Sequence, residues 1–435
     1  MKRGSSLVGC LAAACILLAA GEASALTMTV DPGNTVTSNW SEEWNAAGNL
    51  DGWTATQTSA AVQTVGSDTV LSGTTTGTAP SVQLSNFASG PDLDLGYNDF
   101  VEIRIKVPAS YTGAIQIYYG TTTYLISAPG GGTTTMATTG FSPARVLTIP
   151  SSSIPKDGAF HVYRMDVGLE PLWRATLRDL QIVPVSGSGT TGMTFSIDYL
   201  RVGDEPNATV YQSRITTQCP AAGGTDPING QTVQSMESKH FRILWDATAT
   251  ANPSWTSNMP HGTLRNLEEA WQVYVKKLGY REPCQDTATQ SGTKYKTNLT
   301  TWSSGYWTGI DTYNGTGLAY LNITPDGLIV DPPTLVVPHE FRHAIQYHNT
   351  SGNVPGEWWE TDANYGRERY IQHYQALFPN FSGIDPTFLR CAHQIIAEGR
   401  DYYLSWPFLL YLDQNPDGLP DLGEGTVLKI WQQTQ

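Results

Sequence analysis

The sequence predicts a chain in two parts of different class, an all-β sandwich over residues 26–204 and an α+β domain over residues 233–435, joined by a turn-rich connector at 205–232. Three observations predict it. The 435 residues exceed what one hydrophobic core ordinarily organises. Up to residue 204 the apolar side chains alternate in short runs between Gly/Ser/Thr-rich turns, with no helical period of useful length. From His240 onward strand-like and helix-like segments alternate instead.

The N-terminus reads as an export signal. Lys2 and Arg3 precede the apolar run Leu7 to Ala20, and Ala23-Ser24-Ala25 offers the small-x-small site that signal peptidase accepts. Residues 1–25 are therefore expected to be a cleaved signal peptide and the protein to be secreted. The run falls short of the roughly 20 residues a bilayer span needs, and no later stretch is longer and as apolar, so no membrane span is expected. Leu7-Val8-Gly9-Cys10 resembles a lipoprotein box but opens the apolar run instead of ending it, which makes lipid anchoring the weaker reading. Of five cysteines, cleavage removes Cys10 and Cys15. Cys219, Cys284 and Cys391 remain, enough for one disulfide in any of three pairings. With 25 Lys+Arg against 39 Asp+Glu, the formal charge of -14 repels phosphate backbones and argues against nucleic acid as a partner.

Within residues 26–204, Val101, Ile103, Ile105 and Val107 alternate with Glu102, Arg104 and Lys106, the pattern of a strand buried on one side. Ile115 to Tyr119, Phe160 to Arg164 and Phe195 to Val202 repeat it. Trp44, the Gly52-Trp53 pair, the strand Phe100 to Val107, Trp173 with Leu180 to Pro184, and the closing Ile197-Asp198-Tyr199-Leu200-Arg201-Val202 come in an order that resembles the jelly-roll, galactose-binding-like carbohydrate-binding modules. The resemblance implies an accessory module whose Trp53, Tyr118, Tyr119 and Trp173 either stack on a sugar or fill the core.

Past the connector, His240 to Trp245 reads as a strand. Leu264, Leu267, Trp271, Val275 and Leu278 form one stripe of an amphipathic helix that Gly279 closes, and Gly317 to Ile323 reads as a further strand. His339-Glu340-Phe341-Arg342-His343 then fits H-E-x-x-H. On a helix, positions i and i+4 share a face, so His339 and His343 can meet one Zn²⁺ while Glu340 projects toward the open coordination position as general base. A catalytic zinc site needs a third protein ligand. Gln346 and Asn349 occupy the places where a metzincin would carry its glycine and third histidine, which excludes that class, and His348 misses by one residue.

Further along the chain, Trp358-Trp359-Glu360-Thr361-Asp362-Ala363-Asn364-Tyr365 resembles the second motif of the gluzincin metallopeptidases, and with the preceding strand, helix and strand the likeness spans about residues 236–412. It implies a zincin-type domain with Glu360, seventeen residues after His343, as third ligand, and a small Ala363 between close-packed helices. Thr361 stands where gluzincins usually have Gly. Asn364 stands where many carry an Asp bonded to a zinc histidine, a role that would pass to Asp362 or weaken. Gly317 to Tyr320 would be the edge strand that pairs with an extended peptide. Zinc would polarise the scissile carbonyl and acidify its water, with Glu340 moving the proton. His393, Tyr402 and Tyr403 are candidate donors to the developing oxyanion, beside an apolar segment, Ser405 to Leu412, expected to pack under the site. Leu428, Ile430 and Trp431 begin another amphipathic helix. The helical subdomain with which gluzincins complete the cleft is thus either small or cut short.

The expected function is a secreted, monomeric zinc endopeptidase acting on an extended peptide or glycoprotein, with a β-sandwich that docks it on a polysaccharide or surface. The alternative is a catalytically inactive zincin-like adhesin or carbohydrate-binding surface protein. A glycan-active enzyme has only the jelly roll in its favour, since no carboxylate pair stands out in residues 26–204.

Overall fold

The computed structural model describes residues 26–87, 93–122, 124–128, 132–136, 140–187, 189–204, 234–257, 259–283, 297–300, 306–311, 318–328, 336–349, 356–374 and 405–433. The expected signal peptide, the connector 205–232, all the cysteines, and the candidates His393, Tyr402 and Tyr403 lie outside these residues.

The chain divides into two units, one over residues 24–124 and 135–213, the other containing residues 214–435. In the first, strands β1 (Thr27–Val30), β2 (Thr37–Glu42), β4 (Thr58–Val65), β5 (Asp68–Thr75), β7 (Phe100–Lys106), β12 (Phe160–Asp166) and β14 (Thr194–Asp204) make one sheet in the order β1-β12-β7-β14-β5-β4, with β2 also on β14. Strands β3 (Thr54–Thr56), β6 (Ser81–Leu84), β8 (Ile115–Thr121), β11 (Val146–Ile149) and β13 (Leu177–Val183) make the second, in the order β11-β8-β13-β6-β3. Strands β9 (Tyr124–Ala128) and β10 (Gly132–Met136) pair with each other.

The alternation seen in the sequence sets which face is dry. Val101, Ile103 and Ile105 of β7 are buried, and β12 places Tyr163 opposite Ile103 and Met165 opposite Val101. Together with Ile115, Ile117 and Ile182 they fill a single core. Between β4 and β5 the register leaves a two-residue turn, Gly66-Ser67, and Gly66 takes the φ of +69° that such a turn requires at its first position.

Trp44, Trp53, Tyr119 and Trp173 belong to this core, so of the two readings open for Trp53, Tyr119 and Trp173 the core one holds. Their polar atoms turn inward: Trp53 Nε1 donates to Glu42 at 3.0 Å and Trp173 Nε1 to the Asn98 carbonyl at 2.7 Å. Of the four aromatic candidates, Tyr118 alone is half-buried. On the larger sheet, a groove of about 380 Å³ is lined by the polar Ser59, Gln63, Ser72, Thr74, Thr194 and Ser196 together with Ala60, Ala61, Val65, Gly73 and Phe195.

The second unit has strands β15 (Gln234–Glu237), β16 (Phe241–Trp245), β17 (Thr297–Thr300), β18 (Tyr306–Asp311) and β19 (Leu318–Ile323) in the order β15-β16-β17-β19-β18. β16, β17 and β19 run parallel, and β15 and β18 close the edges antiparallel. The expected edge strand is thereby corrected. Leu318–Ile323 hydrogen-bonds on both sides, and among the described strands the outermost on that side is Tyr306–Asp311.

Among the described residues the helices are α1 (Ala247–Ala251), α2 (Met259–Trp271), α3 (Val336–Asn349), α4 (Gly356–His373), α5 (Trp406–Gln414) and α6 (Thr426–Gln432). Helix α2 begins before the expected Leu264 and widens into a π-helical turn over Gln272–Lys277. The helix is buried on nearly all sides, and Val273 and Tyr274 are buried while Trp271 and Val275 of the expected stripe are half-buried. Gly279, at φ +75°, ends the helix in the left-handed conformation. α3 packs against α2, β18 and β19 on one side and against α4 on the other.

Candidate metal centre

Helix α3 carries His339, Glu340 and His343, and its neighbour α4 carries Glu360. The fourfold spacing sets both imidazoles on one face of α3, with ring centroids 4.9 Å apart. The packing of α4 brings Glu360 against them: its Oε2 lies 3.0 Å from His339 Nε2 and its Oε1 lies 3.6 Å from His343 Nε2. The donor atoms of His339, His343 and Glu360 all fall within 4.8 Å of one another. His339 and Glu360 keep 13% and 25% side-chain exposure, so the cluster is reachable from solvent. Glu340 is buried beside it.

Two imidazole nitrogens and a carboxylate converging on one point are the donor set of a three-ligand catalytic site. Both ring nitrogens of His339 face oxygen acceptors, Glu360 through Nε2 and Asn364 Oδ1 through Nδ1 at 3.0 Å. Once Nδ1–H is donated to Asn364, a cation between Nε2 and Glu360 fills the place a second proton would otherwise have to take. The residues therefore fit a divalent metal ion. Burial alone would favour the neutral form of Glu360, yet the hydrogen bonds of His339 and His343 outweigh it and hold the carboxyl well below its usual range. For His343 burial again opposes charge, and the hydrogen bond to Glu360 with the charge of Glu340 raises its pKa.

The surroundings of the ligands correct one expectation. Asn364 itself accepts from His339, so an amide makes the hydrogen bond that was expected to pass to Asp362 or weaken. Asp362 contacts neither histidine. It grips Arg342 through Nε at 2.8 Å and Nη2 at 2.9 Å, and it accepts from Gln346 Nε2 at 2.8 Å. Gln346 then meets His343, its Oε1 lying 2.7 Å from Nδ1. In the sequence, Arg342 reads only as an unspecified position of H-E-x-x-H and Gln346 only as a departure from the metzincin pattern. The signal that could have found them is their spacing: Arg342 and Gln346 stand at i and i+4 on α3, on the face that meets α4.

Gly366 allows this approach, because a Cβ there would come within 2.8 Å of Arg342 Cγ and Cδ. Ala363, the expected small residue, is fully buried on the same helix. The segment expected to pack under the site is α5, which lies against α4 and supplies Asp413 to Tyr365 Oη at 2.8 Å and to Arg369. Helix α6 brings Trp431 against Trp359, with centroids 5.9 Å apart.

A helix bearing H-E-x-x-H, set against a mixed sheet and met by a carboxylate from the next helix, defines the second unit as a candidate metal-binding domain. Residues 215–435 match the model of DUF6055, a family of unknown function, and the chain belongs to that family. No curated protein matches the sequence. Among solved structures, the chain is similar to a family 16 endo-glucanase from Bacteroides ovatus (12% identity, 38% of this chain and 99% of that one, TM-score 0.23). It is also similar to the CBM22-1 xylan-binding domain from Paenibacillus barcinonensis (14% identity, 39% and 97%, TM-score 0.21). A third similar structure is a carbohydrate-binding module, CBM28, specific for non-crystalline cellulose (18% identity, 36% and 89%, TM-score 0.23). Likeness at this level carries no conclusion about a ligand.

Proposed function

We propose that this protein is a secreted zinc-dependent endopeptidase of gluzincin type, with His339, His343 and Glu360 as metal ligands and Glu340 as the proton-transfer group. The observation that carries the reading is the convergence of those three donor atoms within 4.8 Å on one side of an H-E-x-x-H helix that also holds Glu340. When bound, the cation would supply Lewis acidity toward a carbonyl and a more acidic water. The chain's own residues do the rest. Glu340 accepts the water's proton on its carboxylate and returns it to the leaving amine nitrogen. Asn364 and Gln346 accept the outer N–H groups of His339 and His343 and so keep the inner nitrogens free to ligate. Among the described strands Tyr306–Asp311 is the outermost on that side, and it would be the strand that an extended chain, peptide or glycoprotein, pairs with, in the place the sequence assigned to its neighbour.

The test is Glu340→Gln in the full chain, assayed on unstructured protein substrates. Wild type should cut, lose activity to chelators and regain it with zinc. The variant should keep zinc and fold and lose about 10²- to 10⁴-fold in rate. Wild-type protein that holds one zinc yet cleaves nothing across a broad peptide library would replace this reading with the non-catalytic binding protein. For the sandwich we infer a docking role with at most weak affinity for polysaccharide, because Trp53, Tyr119 and Trp173 are spent in the core and the polar side chains of the groove on its larger sheet are only hydroxyls and one amide.

A further inference from the structure

We propose that Gln346 is a positioning residue of the metal centre, locked by the buried Arg342–Asp362 pair so that His343 can carry its proton only on Nδ1 and must turn Nε2 to the metal. The inference rests on the metal-centre reading above, not on catalysis.

The relay runs inward from a charge that cannot titrate. Arg342 lies fully buried at the crossing of α3 and α4, its guanidinium 3.6 Å from the centre of the Tyr280 ring. Its Nε and Nη2 engage both oxygens of Asp362, an arrangement that fixes the carboxylate in plane and in rotation. Asp362 Oδ2 then accepts one hydrogen of Gln346 Nε2 at 2.8 Å, and the Trp359 carbonyl accepts the other at 2.8 Å. An amide flip would place the Gln346 oxygen against two acceptors in a buried site, with nothing to donate to it, so the flip is excluded by the cost of two lost bonds. Only Oε1 can face His343 Nδ1, 2.7 Å away, and an oxygen there requires an N–H opposite it. Both ends of the relay thus have one permitted answer. Trp359 and Asp362 flank Glu360 in the chain, so the segment that delivers the third ligand also orients the second.

A merely structural Gln346 would hold the helices together without setting a ring nitrogen, and two readouts separate the cases. The near-isosteric Gln346→Met removes both the donor and the acceptor. In the full chain, zinc affinity measured by chelator competition should fall about 10- to 100-fold, the range for losing a partner of a metal-bound histidine. In the Co²⁺-loaded protein, wild type should show a shifted, slowly exchanging Nδ1–H proton resonance assigned to His343 by its loss in His343→Ala. Gln346→Met should lose that resonance to fast exchange while the His339 signal, held by Asn364, persists. Gln346→Leu, which removes the same two groups with a shorter side chain and leaves the Arg342–Asp362 pair intact, should lower affinity at least threefold and speed exchange of the same proton, and it serves if Gln346→Met does not fold. Zinc affinity unchanged within threefold in the folded variant, or a His343 Nδ1–H that stays protected, overturns the proposal. Wild type that binds neither Zn²⁺ nor Co²⁺ overturns the metal-centre reading and this proposal with it. Intact relay signals in a metal-loaded protein that cleaves nothing would leave this proposal standing and remove only the peptidase.

Discussion

Removing Asp362 should be among the most damaging single changes in the second unit. Asp362→Ala strips the carboxylate from Arg342, whose side chain is 0% exposed, and Asp362 itself is 1% exposed. Burial opposes the guanidinium's charge, and Asp362 is the largest influence that offsets it and carries its pKa above the ordinary arginine value. The change leaves a buried cation facing Tyr280 and a Gln346 amide with one acceptor fewer. Breaking a buried pair from one side costs about 3–5 kcal/mol. For a unit of this size that is a fall of about 10 °C in the midpoint of its thermal transition. Scanning calorimetry on the metal-free full chain gives the assay, with the sandwich's transition as an internal reference. Two controls test the cause. Arg342→Met combined with Asp362→Leu buries no charge and should recover most of the loss. Glu43→Ala, which breaks the half-exposed Arg201–Glu43 pair of the sandwich, should cost about 0–1 kcal/mol. The reasoning is refuted if Asp362→Ala costs under about 1 kcal/mol or if the double variant is no better than the single one.

The same geometry sets three further outcomes. Glu360→Ala should abolish stoichiometric zinc binding, measured by metal analysis after dialysis, whereas Glu357→Ala should retain it; the reverse result would reassign the third ligand. Burial pushes the Glu368 carboxyl up to about 7 from 4.5. The unfolded chain therefore ionises first as pH rises, and the folded state loses stability between those two values, by about 3 kcal/mol at the plateau. Glu368→Gln should accordingly stabilise at pH 8 and be close to neutral below pH 4.5 in paired urea titrations, and equal effects at both would refute the desolvation account. Gly366→Ala gains about 1 kcal/mol of helix propensity but forces a Cβ to 2.8 Å from Arg342, an overpacking that costs about 1–3 kcal/mol. A net loss in denaturant titration is expected, and a net gain would mean that α3 and α4 separate freely.

The sequence by itself determined whatever depends on periodicity and local spacing. Alternation at Val101, Ile103 and Ile105 marks a sandwich strand because side chains of a strand leave on alternate faces. His339 and His343 share a helix face by the same arithmetic at period 3.6, and Glu360 was legible because its motif travels on one continuous helix. Tertiary structure decided what depends on neighbours distant in the chain. No local pattern distinguishes a tryptophan that stacks on a ligand from one whose N–H ends on Asn98 or Glu42. Strand order is equally silent in the sequence. Leu318–Ile323 has the apolar pattern of a strand, and the return of Tyr306–Asp311 to its outer side decides that it is not the edge. The relay from Arg342 to His343 is invisible to the sequence for the same reason: its four members come from two helices, and hydrogen bonds between them exist only where Gly366 and Ala363 let those helices touch.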